Sequence, residues 1–155
     1  MATLSAGDMA PLFALPATGG REVSLESLRG KIVVLFLYPR DDTPGCTKEA
    51  IGFTEFQDQF TAAGAVIFGL SRDALKTHEK FVAKHNLGMD LLSAETHEVI
   101  NAYGAWVEKN MYGKKSMGIE RSTFLIESNG RIRQIWRKVK VPGHVEEVLA
   151  AVHNL

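Results

Sequence analysis

Residues Lys31-Ile-Val-Val-Leu-Phe-Leu-Tyr38 put β-branched, aromatic and aliphatic side chains on both alternating sets of a strand. A strand with one face in water alternates apolar with polar residues. One that is apolar on both sets has to be covered on both faces. This run therefore asks for a sheet between two layers, which is the α/β arrangement. It falls far short of the ~20 apolar residues that a membrane helix needs. At 155 residues, with 45% apolar and 23% charged, the chain is long enough to bury roughly 68–70% of its unfolded surface. A single domain over 1–155 is expected.

The rest of the chain fits that frame. After the strand, Pro39-Arg-Asp-Asp-Thr-Pro-Gly45 breaks the pattern. A helix follows to about Ala63, with Phe53, Phe56 and Phe60 at helical spacing and Gly64 as its C-terminal stop. Ala65–Ser71 reads as a second buried strand, and Asp73 as the cap of a helix carrying Leu75, Val82 and Leu87. Met89–Leu92 reads as a third strand and Thr96–Tyr103 as a short helix. Gly104–Glu120, with three glycines, reads as a long loop. Ser122–Glu127 and Arg131–Val139 form a hairpin around Ser128-Asn129-Gly130. A last helix shows one stripe of Val145, Val148, Leu149 and Val152. The order is βαβαβ(α) followed by ββα, a mixed central sheet flanked by helices.

Eighteen basic and eighteen acidic residues cancel, so no basic footprint supports nucleic-acid binding. Lys114-Lys115 and Arg131–Lys140 read as solvated faces. No secretory signal or membrane segment is visible, and one cysteine does not build a disulfide framework, so the cytoplasm is the expected compartment. His78, His85, His97, His144 and His153 lack metal-ligand spacing, and a lone cysteine completes no zinc set. No phosphate loop or dinucleotide motif occurs. No metal and no cofactor are expected. His78, on the apolar side of its helix, reads as a hydrogen-bonded packing residue. Tyr103 and Trp106 either line a site or pack the loop that holds them.

The single cysteine, Cys46, follows the central strand and lies just inside the next helix, where open α/β sheets hold their sites. Thr43 takes the N-cap position and Pro44 the first helical one, which puts Cys46 third. Backbone N–H groups there have no intrahelical partner, and the positive end of the helix faces the sulfur. At 100° per residue and relative to Phe53, Cys46 falls at about +20°, Phe60 at about −20° and Glu49 at about −40°. Glu49 therefore shares the inward face with the sulfur. Ile51, near 160° (about opposite), is a lone apolar residue on the polar side.

Pro39-Arg-Asp-Asp-Thr43-Pro-Gly-Cys46 resembles the peroxiredoxin signature Pro-x-x-x-Thr/Ser-x-x-Cys, and 38–50 is similar to the bacterioferritin comigratory protein (PrxQ) group. The similarity extends to Ala10-Pro11-x-Phe13-x-Leu15, Val23–Lys31, Leu91–Ser93, Ala102–Trp106 and Gly118–Ile126. It implies a thioredoxin-like fold and a thiol-dependent peroxidase for hydrogen peroxide and organic hydroperoxides. Cys46 would be the nucleophile that becomes a sulfenic acid. Thr43 would hydrogen-bond the peroxide, Arg121 would stabilise thiolate and transition state, Pro39 would shield the sulfur, and Glu49 would support the arginine.

Many members of that group carry a resolving cysteine five residues after the first. Here that position is Ile51, and no second cysteine exists. Reduction must then come from an external thiol: thioredoxin, glutaredoxin or glutathione. The resemblance also implies a monomer. An alternative from another class is a non-enzymatic redox sensor or holdase on the same fold.

Overall fold

The computed structural model describes residues 4–155. Nine strands and five α-helices follow in chain order: β1 Ala14–Ala17, β2 Arg21–Ser24, β3 Ile32–Leu37, α1 Pro44–Glu55, α2 Gln57–Ala62, β4 Ala65–Ser71, α3 Leu75–His85, β5 Asp90–Ser93, α4 Glu98–Ala102, β6 Trp106–Met111, β7 Lys114–Ile119, β8 Ser122–Ile126, β9 Ile132–Trp136 and α5 His144–His153. Seven strands make one mixed sheet in the order β2-β1-β5-β4-β3-β8-β9. β3 runs parallel to β4, and β4 to β5; β8 joins the other edge of β3 antiparallel.

The two-faced strand is central, as expected. Val33, Leu35 and Leu37 of β3 face one core cluster, and Val34 and Phe36, with Tyr38 just beyond, face the other. The first cluster packs the amino-terminal segment and α4 on the sheet. The second packs α1, α2, α3 and α5. Gly69 of β4 makes room for the aromatic stack on that side, since a Cβ there would stand 2.8 Å from Phe36 Cζ and 2.7 Å from Leu91 Cδ2.

Several boundaries differ from the sequence reading. The helix expected to reach Ala63 breaks at Phe56, whose φ of −97° and ψ of 5° end α1 and start α2. Phe53 and Phe60 still meet in the core, because each half keeps its own inward face. Gly104–Glu120 is not a loop: β6 and β7 pair antiparallel as a separate hairpin. Tyr112 and Gly113 form its two-residue turn, both at positive φ (54° and 78°). That geometry usually announces itself with Asn-Gly or Asp-Gly, which this turn lacks. Two amino-terminal strands, β1 and β2, were also not anticipated.

Asp73 does not cap α3. The N-cap position belongs to Ala74, and the Asp73 carboxylate turns back to accept from Asp41 N–H and Ser71 Oγ. Ile51 is not stranded on a polar face either. It is half-buried against the second cluster, because α1 has a second neighbour in α5. Gly52 allows that approach, with Val145 Cγ2 only 3.0 Å from where a Cβ would sit.

Candidate active site

β3 ends at Leu37, and the chain turns through Pro39–Thr43 into α1. Thr43 holds the N-cap position, with Pro44 first and Cys46 third in the helix, as the sequence indicates. The capping bond itself is not made. Thr43 Oγ1 instead donates to the Arg40 carbonyl at 2.9 Å, and no side chain caps α1. The first intrahelical bond runs from Thr47 N–H to Thr43 O at 2.8 Å. The N–H groups of Gly45 and Cys46 are therefore left by the helix as open donors beside the sulfur.

Cys46 is buried, at 1% exposure. Arg121, the residue before β8, reaches across from the sheet. Its Nη2 donates to Cys46 Sγ at 3.3 Å, and its Nη1 donates to Glu49 Oε1 at 2.8 Å. Two residues 75 and 72 positions away in sequence are thus tied to one guanidinium. Gly45 is part of this geometry. A Cβ there would come within 3.1 Å of Arg121 Nη2, a tight contact that the guanidinium would have to shift to relieve.

Glu49 is fully buried, and its Oε2 has no hydrogen-bond partner among the described residues. Burial pushes its carboxyl up to about 7, against the pull of the Arg121 guanidinium. Burial works to lower Arg121, but the charges of Glu49 and Cys46 outweigh it and hold the guanidinium above its ordinary value. Behind Arg121, His144 Nε2 lies 2.8 Å from Thr123 Oγ1. Burial, with the Arg121 charge adding to it, pushes that imidazole down to about 4.

The loop that leads into α1 is held by His78 and by two aspartates that the sequence does not single out. Asp41 is buried; its Oδ2 lies 2.6 Å from His78 Nδ1, and Tyr38 Oη donates to its Oδ1 at 2.5 Å. His78 Nε2 meets the Leu92 carbonyl at 2.9 Å. A carbonyl only accepts, so Nε2 carries a hydrogen and donates it there. His78 is thus the hydrogen-bonded packing residue that was expected. Asp42, in the left-handed region at φ 59°, is tied to Lys84 Nζ at 2.7 Å and His85 Nε2 at 2.9 Å. Adjacent aspartates therefore fasten one loop to α3, one inside and one outside. Asp41, Asp73 and His78 also bring three metal-capable donors within 4.8 Å, a grouping that sequence spacing does not reveal. Hydrogen bonds to one another, to Tyr38 and to Ser71 occupy them.

Pro39 and Thr43 line an open groove of about 740 Å³, together with Trp106, Met117 and Ile119. Trp106 lines this groove while packing on the first core cluster, whereas Tyr103 is fully buried and donates to the Pro11 carbonyl at 2.7 Å.

Comparison with known proteins places the whole chain, not this site alone, in a family. The AhpC/TSA family model matches residues 6–135. The chain belongs to this peroxiredoxin family. A relative from Coxiella burnetii is 50% identical over 147 residues, covering 95% of this chain and 97% of its own. Peroxiredoxin Bcp of Bacillus subtilis is 44% identical over 153 residues, 99% of this chain and 98% of that one. Among solved structures, a PrxQ of Xylella fastidiosa superposes with a TM-score of 0.93 at 36% identity, covering 99% of this chain and 98% of the other. The bacterioferritin comigratory protein of Xanthomonas campestris, described for its alkyl peroxide reduction activity, gives 0.88 at 43% identity over 92% and 90%. These neighbours carry the thioredoxin-like fold expected from the sequence. Peroxiredoxins are thiol peroxidases, oxidoreductases that act on peroxides and are reduced by thiols. This chain is a one-cysteine member. No helix among the described residues is long and apolar enough to cross a membrane.

Proposed function

We propose that this chain reduces hydrogen peroxide and organic hydroperoxides in line at Cys46, and that an external thiol regenerates it. The observation that carries the reading is the Arg121 guanidinium, which bonds Cys46 Sγ and Glu49 together. Cys46 thiolate attacks one peroxide oxygen, the O–O bond breaks, and the other oxygen leaves as hydroxide or alkoxide while sulfur becomes the sulfenic acid. Negative charge moves from sulfur onto the oxygens. Arg121 and the open N–H groups of Gly45 and Cys46 are donors already in place to follow it. Thr43 has committed its hydroxyl hydrogen to the Arg40 carbonyl. Its lone pairs can then accept from the peroxide O–H, which fixes which oxygen faces the sulfur. Pro39 walls the approach and limits water, and Glu49 positions the guanidinium.

With no second cysteine in the chain, thioredoxin, glutaredoxin or glutathione completes the cycle. The activity of the Xanthomonas campestris relative supports alkyl hydroperoxides as substrates. A monomeric, cytoplasmic enzyme over 1–155 agrees with the exposed large apolar residues being scattered. It also agrees with the lack of disulfide-building cysteines. The test is stopped-flow tryptophan fluorescence with intact mass after one equivalent of hydrogen peroxide. Millisecond-to-second gain of one oxygen at Cys46, absent in Cys46→Ser, is expected, followed by many turnovers with added thiol. Oxidation as slow as that of a free small thiol overturns the reading, and a single turnover favours a sensor.

A further inference from the structure

The groove against the Pro39–Thr43 loop, which leads into Cys46, has a charge pattern that peroxide chemistry does not require. Arg40, Arg72 and Lys109 all line it, in a chain whose formal charge is zero. Among the described residues, none of the three has a carboxylate within ion-pair distance. The groove's one carboxylate, Asp73, is turned inward, accepting from Asp41 N–H at 2.9 Å and Ser71 Oγ at 2.6 Å. Arg72 is held in place: its guanidinium donates to the Glu95 carbonyl at 3.3 and 3.2 Å and lies 5.0 Å from the Trp106 ring centre. With these cations the groove has apolar lining from Pro39, Trp106 and Met117. Hydrogen peroxide needs neither the cations nor this space.

The groove's size, about 740 Å³, is that of a site for a small organic molecule, within the common range of roughly 300–1,000 Å³. Cys46 is 1% exposed, and a disulfide with a protein partner needs that partner's cysteine Cα within about 7 Å of the Cys46 Cα. The ties of Asp41 to His78 and of Asp42 to Lys84 and His85 hold the loop before α1 against so bulky an approach. A small thiol brings no backbone with it.

Resting on the peroxidase reading above, we infer that this groove binds a small thiol bearing carboxylates, the reductant of the Cys46 sulfenic acid. The thiol sulfur attacks Cys46 Sγ, the S–O bond breaks, and water leaves with the thiol proton, giving a mixed disulfide. A second thiolate attacks the bound thiol's sulfur, releasing Cys46 thiolate and the small-molecule disulfide. Glutathione, which carries carboxylates, belongs to this class; thioredoxin and glutaredoxin do not.

The experiment separates the two half-reactions. Protein oxidised by one equivalent of hydrogen peroxide is mixed with mercaptopropionate, mercaptoethanol or cysteamine, compared at equal thiolate concentration. Its reduction is followed by intact mass and fluorescence. The anionic thiol is expected to react about tenfold faster than the neutral one and the cationic thiol slowest, with the spread collapsing at high salt. Arg40→Gln combined with Lys109→Gln is expected to erase the preference, and Lys114→Gln, an exposed lysine outside the groove, to keep it. Equal rates for the three thiols overturn the inference. A carboxylated alkyl hydroperoxide is also compared with a neutral one of similar size in the oxidation step. Charge preference there, and none in reduction, assigns the groove to the peroxide and overturns the thiol assignment. Native protein that forms no rapid sulfenic acid fails the peroxidase reading instead, and is recognised before any thiol is added.

Discussion

Arg121 holds sulfur and carboxylate with the two ends of one planar fork, which lysine's single ammonium does not replace. That geometry tolerates little displacement. Gly45→Ala puts a methyl 3.1 Å from Nη2 while the guanidinium is held by both partners. The expected result is oxidation by hydrogen peroxide about tenfold slower with thermal stability nearly unchanged. An unaffected rate shows that Arg121 has slack. Glu49 is the second residue to test. Its folded value of about 7 lies above the ordinary 4.5 because burial disfavours the charged form. A carboxyl raised on folding stabilises the protein below its ordinary value and loses that contribution as pH climbs through about 7. The ion pair to Arg121 grows over the same interval. Stability should therefore fall, and the Cys46 oxidation rate rise, between pH 5 and 8, with Glu49→Gln flattening the stability change and removing one step from the rate profile. An identical stability profile in the variant would show that Glu49 is not the titrating group.

Among the elements, the Pro39–Thr43 loop decides where α1 starts, and α3 holds that loop. Asp41 and His78 are both buried and face one another, so removing either leaves a polar partner unpaired. His78→Leu is expected to destabilise the fold by about 3 kcal/mol, measured by urea unfolding. A loss below about 1 kcal/mol would mean that the Tyr38 and Leu92 contacts do not depend on the imidazole. α1 itself has no structural reason to unwind. Position 51 is isoleucine and half-buried against the core, so no internal disulfide can draw the helix open. Amide exchange over 45–63 should match in reduced and sulfenic forms; selective loss of protection on oxidation would refute this. The β6–β7 hairpin shows the opposite relation between residues and element. Its strands Trp106–Met111 and Lys114–Ile119 mix apolar with polar residues without strict alternation, and Lys114–Met117 is exposed, so apolar periodicity had little to detect.

At the scale of the molecule, the active site is a junction between the sheet's centre and its second half. β3 delivers Cys46, and β8, its antiparallel neighbour, brings Arg121 alongside. α5 closes the same face, with His144 at its first turn. Burial and the nearby Arg121 hold that imidazole down to about 4. A base depressed on folding gives stability above its ordinary 6.5 that is lost as pH falls toward 4. The melting temperature should drop across that interval, and less steeply in His144→Gln; equal slopes would assign the acid sensitivity elsewhere. The residues alone determined the two-sided strand, the α/β order, the helix start at Thr43-Pro44 and the shared face of Cys46 and Glu49. Each follows from local sterics or from a period of 2.0 or 3.6 along a few consecutive residues. Arg121 was reachable through family resemblance but not through periodicity, because its partners lie more than 70 positions away. The Asp41–His78 tie, the groove cations, the space left by Gly45 and the Phe56 break came only with the tertiary structure. Which polar groups are buried together, and how closely two backbones approach, depends on how distant segments pack, and the sequence carries no local signal of that.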